Sequence, residues 1–497
     1  MTATAADGTS GQAGHITGYG SKPYRSFVLL SLMLVYTLNF VDRTLISVVA
    51  QPIINTFELN DLQWGLLAGP PFAIFYAAMG IPIAMWADRS NRVRIIAVCV
   101  ILWSLMTALC GLAVSFLMLL LFRIGVAIGE AGCTPPANSI IGDYYPARSR
   151  ANALGIYSMG VTLGAVLAQL FGGAIAGLTG PQFGAWLNGI GLGLLFSGLD
   201  WTEIEGWRIA FVVIGLPGVL VAFMVWLMIE EPPRGYSDPP SATPQPRAGF
   251  GEAFKELARK PSFWWMTLGA SLVAFVGYGL INFQAPFLQR VHGIGVREAA
   301  IFYGAPFAVA AAIGTFGGGF LSERLAPRFP TVVAWLPGLG LLAAIPLYIG
   351  AFYASDLTTV FVLWCLAAVA HYAYLGAQYT IGQGVVSARS RATAIAILLL
   401  IVSLVGNGIG PPFVGLLSDI FMKVQMSAAG LPESFSVEIC KARDLSDLTD
   451  AQQLACREAY GGGLKQSMAA TVTIFIIAAT GYFLSARFLQ RDMVAGT

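Results

Sequence analysis

The chain has 497 residues, of which 56% are hydrophobic and only 11% are charged, and its net charge is +2. Because soluble proteins carry about 25% charged residues, this composition excludes a soluble globular protein and predicts an all-α polytopic membrane protein. The small net charge, without a basic block, excludes nucleic acid as a class of partner. The six cysteines and three histidines show no metal-binding spacing, so we expect neither a metal nor another cofactor.

Apolar segments long enough to cross a membrane occur twelve times along the chain. A further apolar segment, 186–201, is short and rich in glycine, and we expect an interfacial excursion there. Twelve spans with both termini in the cytoplasm place most loop Lys and Arg residues on the cytoplasmic side, as the positive-inside rule requires. The twelve are predicted near 25–51, 62–86, 93–115, 117–141, 151–178, 207–229, 262–288, 298–321, 331–353, 357–384, 392–418 and 466–488.

Two short stretches recur at nearly the same spacing, which indicates an internal duplication. Residues 84–89 match 319–324, and residues 146–153 match 387–394. Duplicated halves with a site between them are a known plan for transporters, and we expect two pseudo-symmetric six-helix bundles. The predicted parts are an N-terminal cytoplasmic tail (1–24), a first bundle (25–230), a proline-rich cytoplasmic linker ending in a short amphipathic helix (231–261), a second bundle (262–488) with an extramembrane loop (419–465), and a C-terminal cytoplasmic tail (489–497).

Four charged residues lie inside apolar segments of the first half. Asp42 and Arg43 are in the first span, and Arg123 and Glu130 are in the fourth, seven positions apart and therefore on one helix face about 10 Å apart. Ionisable residues inside a membrane usually mark a pathway or a proton relay. We expect Asp42 and Glu130 to exchange protons, with Asp42 leading and both arginines as counter-ions or head-group contacts. The alternative is a static structural pair of Arg123 and Glu130.

Polar and aromatic residues, instead of charges, mark the second half. With Asn39 of the first span, we expect several of them to line the substrate cavity; the alternative is interfacial aromatics and hydrogen-bonded core residues, above all for His371. A charged wall facing an aromatic wall would suit an amphiphile with a polar head and an acyl tail. The predicted lining residues of the second half are Tyr278, Asn282, His371, Tyr372 and Gln378.

Three further residues have predicted structural roles. Cys440 and Cys456 flank a polar loop outside the membrane, where a disulfide can form, and closing a loop of this length would contribute about 3 kcal/mol. Asp143 is expected beside Arg148 and Arg150, as their structural partner at the inner end of the fourth span.

The loop after the second span resembles the signature of the major facilitator superfamily, G-x-x-x-D-R-x-G-R. Here it reads Ala84-x-x-x-Asp88-Arg89-x-Asn91-Arg92, with Ala84 and Asn91 in place of two glycines. The resemblance covers essentially the whole chain and implies the twelve-helix fold of that superfamily. It also implies a cytoplasmic gate formed by Asp88, Arg89 and Arg92, with Glu323 and Arg324 as its degenerate copy.

Three stretches are similar to the Spinster family of lysolipid and sphingoid-phosphate transporters. These are Asn39-Phe-Val-Asp42-Arg43, the Asn91 variant of the signature loop, and the helix segment 123–131, RIGVAIGEA. This resemblance implies an amphipathic lipid substrate such as a lysophospholipid or sphingosine phosphate. Organic anion symporters of the superfamily share related patterns, so they stay open as an alternative.

Together these features predict a proton-coupled secondary transporter that works by alternating access. The expected partners are an amphipathic small molecule, protons and the lipid bilayer, and we expect a monomer in a bacterial inner membrane. The main alternative is a proton-coupled symporter of small organic anions. A lipid-modifying membrane enzyme is a further alternative, but it would need a nucleophile–base or metal constellation, and the sequence offers none; we expect no enzyme activity.

Overall fold

The computed structural model describes residues 17–237 except 197 and 199, and residues 250–494 except 388, 433, 434, 436 and 442–444. Most of the predicted N-terminal tail, the proline-rich part of the linker, part of the extramembrane loop and the last three residues lie outside the described residues. Over the described ranges, every regular element is a helix and no strand occurs.

Twelve helices or helix pairs in the described part of the chain are long and apolar enough to cross a membrane, which confirms the predicted count. We number them as spans 1 to 12. Segment 186–201 is not among them, because a helix of 10 residues, Gly180–Gly189, gives way there to short 3-10 turns. The spans are Lys22–Val48, Asp61–Ala87, Arg92–Cys110, Phe116–Tyr144, Ala147–Ala176, Gly206–Met228, Pro261–His292, Val296–Leu325, Val332–Tyr353, Leu357–Gly384, Thr393–Ala428 and Asp450–Asp492.

Several spans consist of two successive helices. Prolines near the start of a second helix explain two of the breaks, because proline lacks a backbone N–H and is tolerated in the first turn. Spans 5 and 8 instead contain π-helical turns, at Ala168–Gly172 and Ala299–Gly304. The broken spans are Asp61–Ala68 with Pro70–Ala87, Phe116–Ala131 with Thr134–Tyr144, Ala147–Leu167 with Gly173–Ala176, Val296–Glu298 with Ala305–Leu325, Leu357–Tyr372 with Tyr374–Gly384, and Asp450–Val472 with Phe475–Asp492; span 1 is followed by Ala50–Thr56.

Polar side chains cap the N-termini of helices that begin outside the apolar runs. Asn60 and Gln63 form a reciprocal capping box at the start of span 2, and Thr449 and Gln452 form another at the start of span 12. Each box satisfies backbone N–H groups that have no partner inside the helix. Span 7 ends at Gly293, whose φ of 67° is a left-handed conformation that favours glycine.

Packing divides the chain into two compact units. Unit 1 comprises Met1–Thr44, Phe75–Ala168 and Arg208–Gln245, and unit 2 comprises Leu45–Ile74, Gln169–Trp207 and Pro246–Thr497. The division by packing therefore differs from the division by duplication. Residues 45–74 and 169–207, which belong to the first half of the sequence, pack with the second half.

The last two spans are longer than the sequence predicts. The helix of span 11 runs from Arg391 to Ala428, and span 12 begins at Asp450, so much of segment 419–465 is helical. A disulfide joins Cys440 to Cys456, with their Cα atoms 4.8 Å apart. The bridge lies in a small apolar core formed by Met422, Met426, Val437 and Ala459 with the two cysteines.

The expected amphipathic helix at the end of the linker is Phe250–Ala258. Ala253 and Leu257 are fully buried, whereas Phe254 is 43% exposed. Glu256 accepts hydrogen bonds from the backbone N–H of Ser387 at 2.6 Å and from its hydroxyl at 3.1 Å. Burial raises the pKa of Glu256, but hydrogen bonds from Ser390 and Ser387 outweigh it and hold the pKa below its usual value. The helix is thereby fixed to the loop between spans 10 and 11.

The close packing of span 5 against span 1 at Gly164 can be tested by substitution. A Cβ at Gly164 would lie 2.5 Å from both the Phe40 Cβ and the Thr37 carbonyl oxygen, whereas a Cβ at Gly155 in the same helix meets nothing within 4 Å. We expect Gly164→Ala to lower the free energy of unfolding by about 1–3 kcal/mol through overpacking. Gly155→Ala is the matched control and should leave stability unchanged or slightly higher. Thermal unfolding in detergent measures both, and equal midpoints would contradict the close approach of spans 1 and 5.

Candidate functional site

The four charges predicted inside apolar segments come together within unit 1, carried by spans 1 and 4, and three of them are buried. Glu130 is fully buried, and Asp42 and Arg123 are each 3% exposed. Both spans are apolar around these residues, so the helices place the charges where water is scarce. Span 4 also breaks just after Glu130, since its first helix ends at Ala131. The carboxylate therefore lies at the end of a helix segment.

Glu130 pairs with Arg43. The Arg43 Nε donates to the Glu130 Oε2 at 2.5 Å, and the arginine side chain is 22% exposed while the glutamate is fully buried. The Arg43 guanidinium lies over the rings of Tyr76 at 4.4 Å and Phe40 at 5.2 Å, contacts that favour a cation. The direct ion pair of Glu130 is thus with Arg43 of span 1, and Arg123 also acts on Glu130 electrostatically.

Asp42 has different surroundings from Glu130. Its Oδ2 accepts a hydrogen bond from the Thr107 hydroxyl at 3.1 Å, and among the described residues no ion pair reaches it within 4.0 Å. Arg123 lies close enough to act electrostatically on Asp42 and on Glu130, and Asn39 is buried beside Glu130. The two carboxylates therefore differ in their direct partners: Glu130 contacts a guanidinium, and Asp42 accepts a hydrogen bond from a neutral hydroxyl.

Close packing of spans 3 and 4 supports this arrangement. A Cβ at Gly129 would lie 2.8 Å from the backbone nitrogen of Trp103 and 3.0 Å from the Cys99 carbonyl oxygen. Glycine at position 129 lets span 4 approach span 3, which also carries Thr107. The neighbouring Glu130 is consequently packed against protein instead of facing lipid.

The polar and aromatic residues of the second half divide into two groups. His371 is 2% exposed, shares a hydrogen bond of 3.1 Å with the Tyr348 hydroxyl and packs against Phe475. Gln378 is also buried. In contrast, Tyr278 is 42% exposed and Tyr372 is partly exposed. The tyrosines are thus the accessible members of the predicted lining, and His371 has the surroundings of a core residue.

Asn282 joins spans of unit 2 instead of facing open space. It is 4% exposed, accepts a hydrogen bond from the Ser47 hydroxyl at 2.9 Å and donates to the Tyr278 carbonyl oxygen at 2.8 Å. The Trp64 indole donates to the Asn282 carbonyl oxygen at 3.0 Å. Span 7 is thereby held to the end of span 1 and the start of span 2.

Arg92, predicted as a gate residue, is a buried brace within unit 1. It is 2% exposed and contacts Asp143 at 2.5 Å, Glu231 at 2.6 Å and the Ser139 hydroxyl at 2.7 Å. Asp143 therefore pairs with Arg92 at the start of span 3. The expectation that it is the structural partner of Arg148 and Arg150 was wrong, because its carboxylate binds the Arg92 guanidinium. The remaining predicted gate residues are exposed, with no side-chain partner described: Asp88, Arg89, Glu323 and Arg324.

A third ion pair, which the sequence did not indicate, is buried in unit 2. Arg290 donates through both terminal nitrogens to Asp61, at 2.8 and 2.9 Å, and the two side chains are 3% and 1% exposed. Asp61 begins span 2 and Arg290 lies near the end of span 7. We call this region the disulfide end, defined by Asp61, Arg290 and the disulfide between Cys440 and Cys456. Charges at helix ends look ordinary in sequence, so no spacing signal identifies this pair.

Comparison with known proteins agrees with this architecture. The sequence profile described as Major Facilitator Superfamily matches residues 32–411. The chain belongs to the major facilitator superfamily. It is 33% identical over 398 residues to an MFS-type efflux pump of Mycolicibacterium smegmatis, covering 80% of this chain and 85% of that protein. It is 27% identical to protein spinster of Drosophila melanogaster, over 80% of this chain and 62% of that protein.

Solved structures place the chain more closely within this superfamily. One described as a bacterial homolog of the human lysosomal transporter Spinster, inward-facing and unoccupied, is 63% identical, covers 96% of this chain and 100% of its own, and has a TM-score of 0.90. The inward-facing, occupied form is 62% identical with a TM-score of 0.87. The chain is thus a major facilitator transporter of the Spinster type, and the predicted family and fold class, an all-α protein with twelve membrane helices in two six-helix bundles, are confirmed.

Because Arg92 is buried between its partners, we expect substitution of Asp143 to lower stability far more than substitution of Asp88. Asp143→Asn removes a partner from a buried guanidinium, and we expect it to lower the free energy of unfolding by about 3 kcal/mol. Asp88→Asn changes an exposed side chain and should alter stability by less than about 0.5 kcal/mol. Denaturation in mixed micelles measures both. If Asp88 gates transport, that variant should lose transport without losing stability, whereas similar destabilisation by both would contradict the brace.

Proposed function

We propose that this Spinster-type transporter is driven by protons and that Asp42 and Glu130 are the groups that bind them. The observation that carries the proposal is the unequal pairing of two buried carboxylates, Glu130 on Arg43 and Asp42 on Thr107. A nearby guanidinium favours an ionised carboxylate, while loss of water disfavours it. A movement that exchanges these partners changes proton affinity, and such a change is what coupling requires.

The proposed cycle uses the arginines as fixed positive charges. Arginine does not lose its proton in proteins, so Arg43 and Arg123 can only change partners. When a proton neutralises a carboxylate, its arginine becomes available to the anionic head group of a substrate. Arg43 is the better candidate for this contact, since its side chain is 22% exposed whereas Arg123 is 3% exposed.

We propose that the disulfide end faces the periplasm and that both termini lie in the cytoplasm. The positive-inside distribution of Lys and Arg supports this orientation. The Cys440–Cys456 bridge supports it independently, because disulfides persist in oxidising compartments such as the periplasm and not in the cytosol. The buried contacts between Asp61 and Arg290 support a closed disulfide end, and two similar solved structures are described as inward-facing. We further propose a monomer in a bacterial inner membrane.

We infer an amphipathic lipid, such as a lysophospholipid or sphingosine phosphate, as the substrate. The likeness to Spinster proteins supports this class. The distribution of side chains supports it as well, since the arginines can bind an anionic head and the exposed Tyr278 offers an apolar ring to an acyl chain. A small organic anion would need the arginines but not the aromatic surface.

The proton-coupling proposal predicts how the disulfide end responds to pH. Spin labels at positions 58 and 295 of unit 2, both exposed, report its opening by double electron–electron resonance. We expect different distance distributions at pH 5 and pH 8. Asp42→Asn mimics the protonated state and should show the pH 5 distribution at both pH values. Glu130→Gln should reduce the difference between the distributions at pH 5 and pH 8.

Glu252→Gln provides the control, because Glu252 is exposed on the linker helix and should behave like the parent protein. Distributions that ignore pH in the parent and in both neutral variants would exclude coupling through Asp42 and Glu130. The charges would then be structural or would bind substrate.

The substrate proposal predicts which ligand competes and which arginine matters. We expect a lysophospholipid, and not a small dicarboxylate, to displace a fluorescent lysolipid from protein in nanodiscs. Arg43→Gln should weaken lysolipid binding about tenfold, the loss of one charged hydrogen bond. Arg491→Gln, at an exposed position, should not. Displacement by organic acids alone would favour the organic anion alternative, and chemically altered lipid after incubation would indicate an enzyme.

A further inference from the structure

Two residues close to the bridged cysteines contact the buried ion pair at the disulfide end. Lys441 follows Cys440 directly, and Tyr460 lies one helical turn after Cys456. All of these residues belong to unit 2. Neither Lys441 nor Tyr460 has a part in the proton coupling or substrate binding proposed above, so their contacts need a separate explanation.

Lys441 balances the charge of the ion pair. Its Nζ lies 2.5 Å from the Asp419 Oδ1 and 3.9 Å from the Asp61 Oδ1, and its side chain is 5% exposed. Asp419 in turn accepts the backbone N–H groups of Asp61 at 3.2 Å and Leu62 at 3.0 Å. Two carboxylates therefore share two cations, Arg290 and Lys441. Without Lys441 the partly buried Asp419 carboxylate would lack a matching charge, and loss of a partner from a charge shielded from water is unfavourable.

Tyr460 covers the other side of Arg290. The arginine guanidinium carbon lies 3.9 Å from the centre of the tyrosine ring, a distance typical of cation–π attraction. The Tyr460 hydroxyl accepts a hydrogen bond from the Gln51 amide nitrogen at 3.2 Å, and the Gln51 amide oxygen accepts one from the Arg290 Nε at 2.7 Å. Tyr460 therefore connects the helix after span 1 with the end of span 7.

The disulfide fixes both side chains in these positions. Cys456 is fully buried and Cys440 is 3% exposed, and both pack in the apolar core with Met422 and Met426. The bridge holds the short helix Val437–Lys441 against the helix that begins at Asp450. Lys441 would otherwise be the last residue of a five-residue helix, too short to be stable alone.

We propose that the Cys440–Cys456 disulfide, together with the neighbouring Lys441 and Tyr460, is a latch that keeps the disulfide end closed, and that Lys441 and Tyr460 are the side chains that hold it. The inference rests on the proposed alternating access, because a latch matters only if this end opens. Opening separates Asp61 from Arg290, and the latch opposes it by adding Lys441 to the carboxylates and Tyr460 to the guanidinium. Lys441 and Tyr460 are positioning residues that set how often this end opens, and they do not bind protons or substrate.

The test measures the open fraction at fixed pH with the labels at positions 58 and 295. We expect Lys441→Gln, Tyr460→Leu and the double variant Cys440→Ser/Cys456→Ser each to raise the ratio of open to closed protein at least about fivefold, the scale of a typical coupling between sites. Lys441→Arg keeps the charge and should match the parent protein. Lys423→Gln is the matched control, because Lys423 is exposed on the helix that carries Asp419.

The outcomes separate a latch from a merely stabilising loop. Thermal unfolding and lysolipid binding of each variant show that it is folded, and Tyr460→Leu carries the test if Lys441→Gln is not. A lower melting temperature with the parent distance distribution overturns the proposal. If pH still shifts the distribution while Lys441→Gln does not, the latch fails and proton coupling stands. If Lys441→Gln shifts it while pH does not, proton coupling fails and the latch stands.

Discussion

A charge inside an apolar helix bundle persists only where an opposite charge or a hydrogen bond replaces the water it has lost. The ion pair of Arg43 with the fully buried Glu130 is the contact on which the candidate site depends. It joins spans 1 and 4, so the position of one helix determines the charge state that the other can hold. Any rearrangement of these spans must find Glu130 another partner or a proton.

The same constraint explains the other buried charges of the chain. Arg92 is satisfied by Asp143 and Glu231 within unit 1, and Asp61 by Arg290 within unit 2. The three sites differ in what their partners can do. Arg92 is enclosed by two carboxylates and a hydroxyl, which suits a permanent joint. Asp42 accepts a hydrogen bond from a neutral hydroxyl and has no ion pair among the described residues. It is therefore the best candidate for the leading proton site.

The sequence predicted the helices well because each span is a long apolar run and the loops between them carry charge. It also identified the four charges of the candidate site, since ionisable residues stand out against apolar neighbours. It could not predict that Glu130 pairs with Arg43, because residue spacing within one helix says nothing about a second helix. Asp61 and Arg290 were missed because charges at helix ends are usually solvated, and His371 packs in the core because Tyr348 satisfies it.

The π-helical turns in spans 5 and 8 carry a consequence for sequence alignment. A π-turn holds one residue more than an α-turn, so each can be read as a single-residue insertion into a regular helix. Removing that residue would rotate the rest of the span by about 100°, the angle per residue of an α-helix. Gln169, inside the first turn, lies against Gly304 at the end of the second, so this contact depends on both insertions. Relatives should therefore gain or lose the two extra residues together.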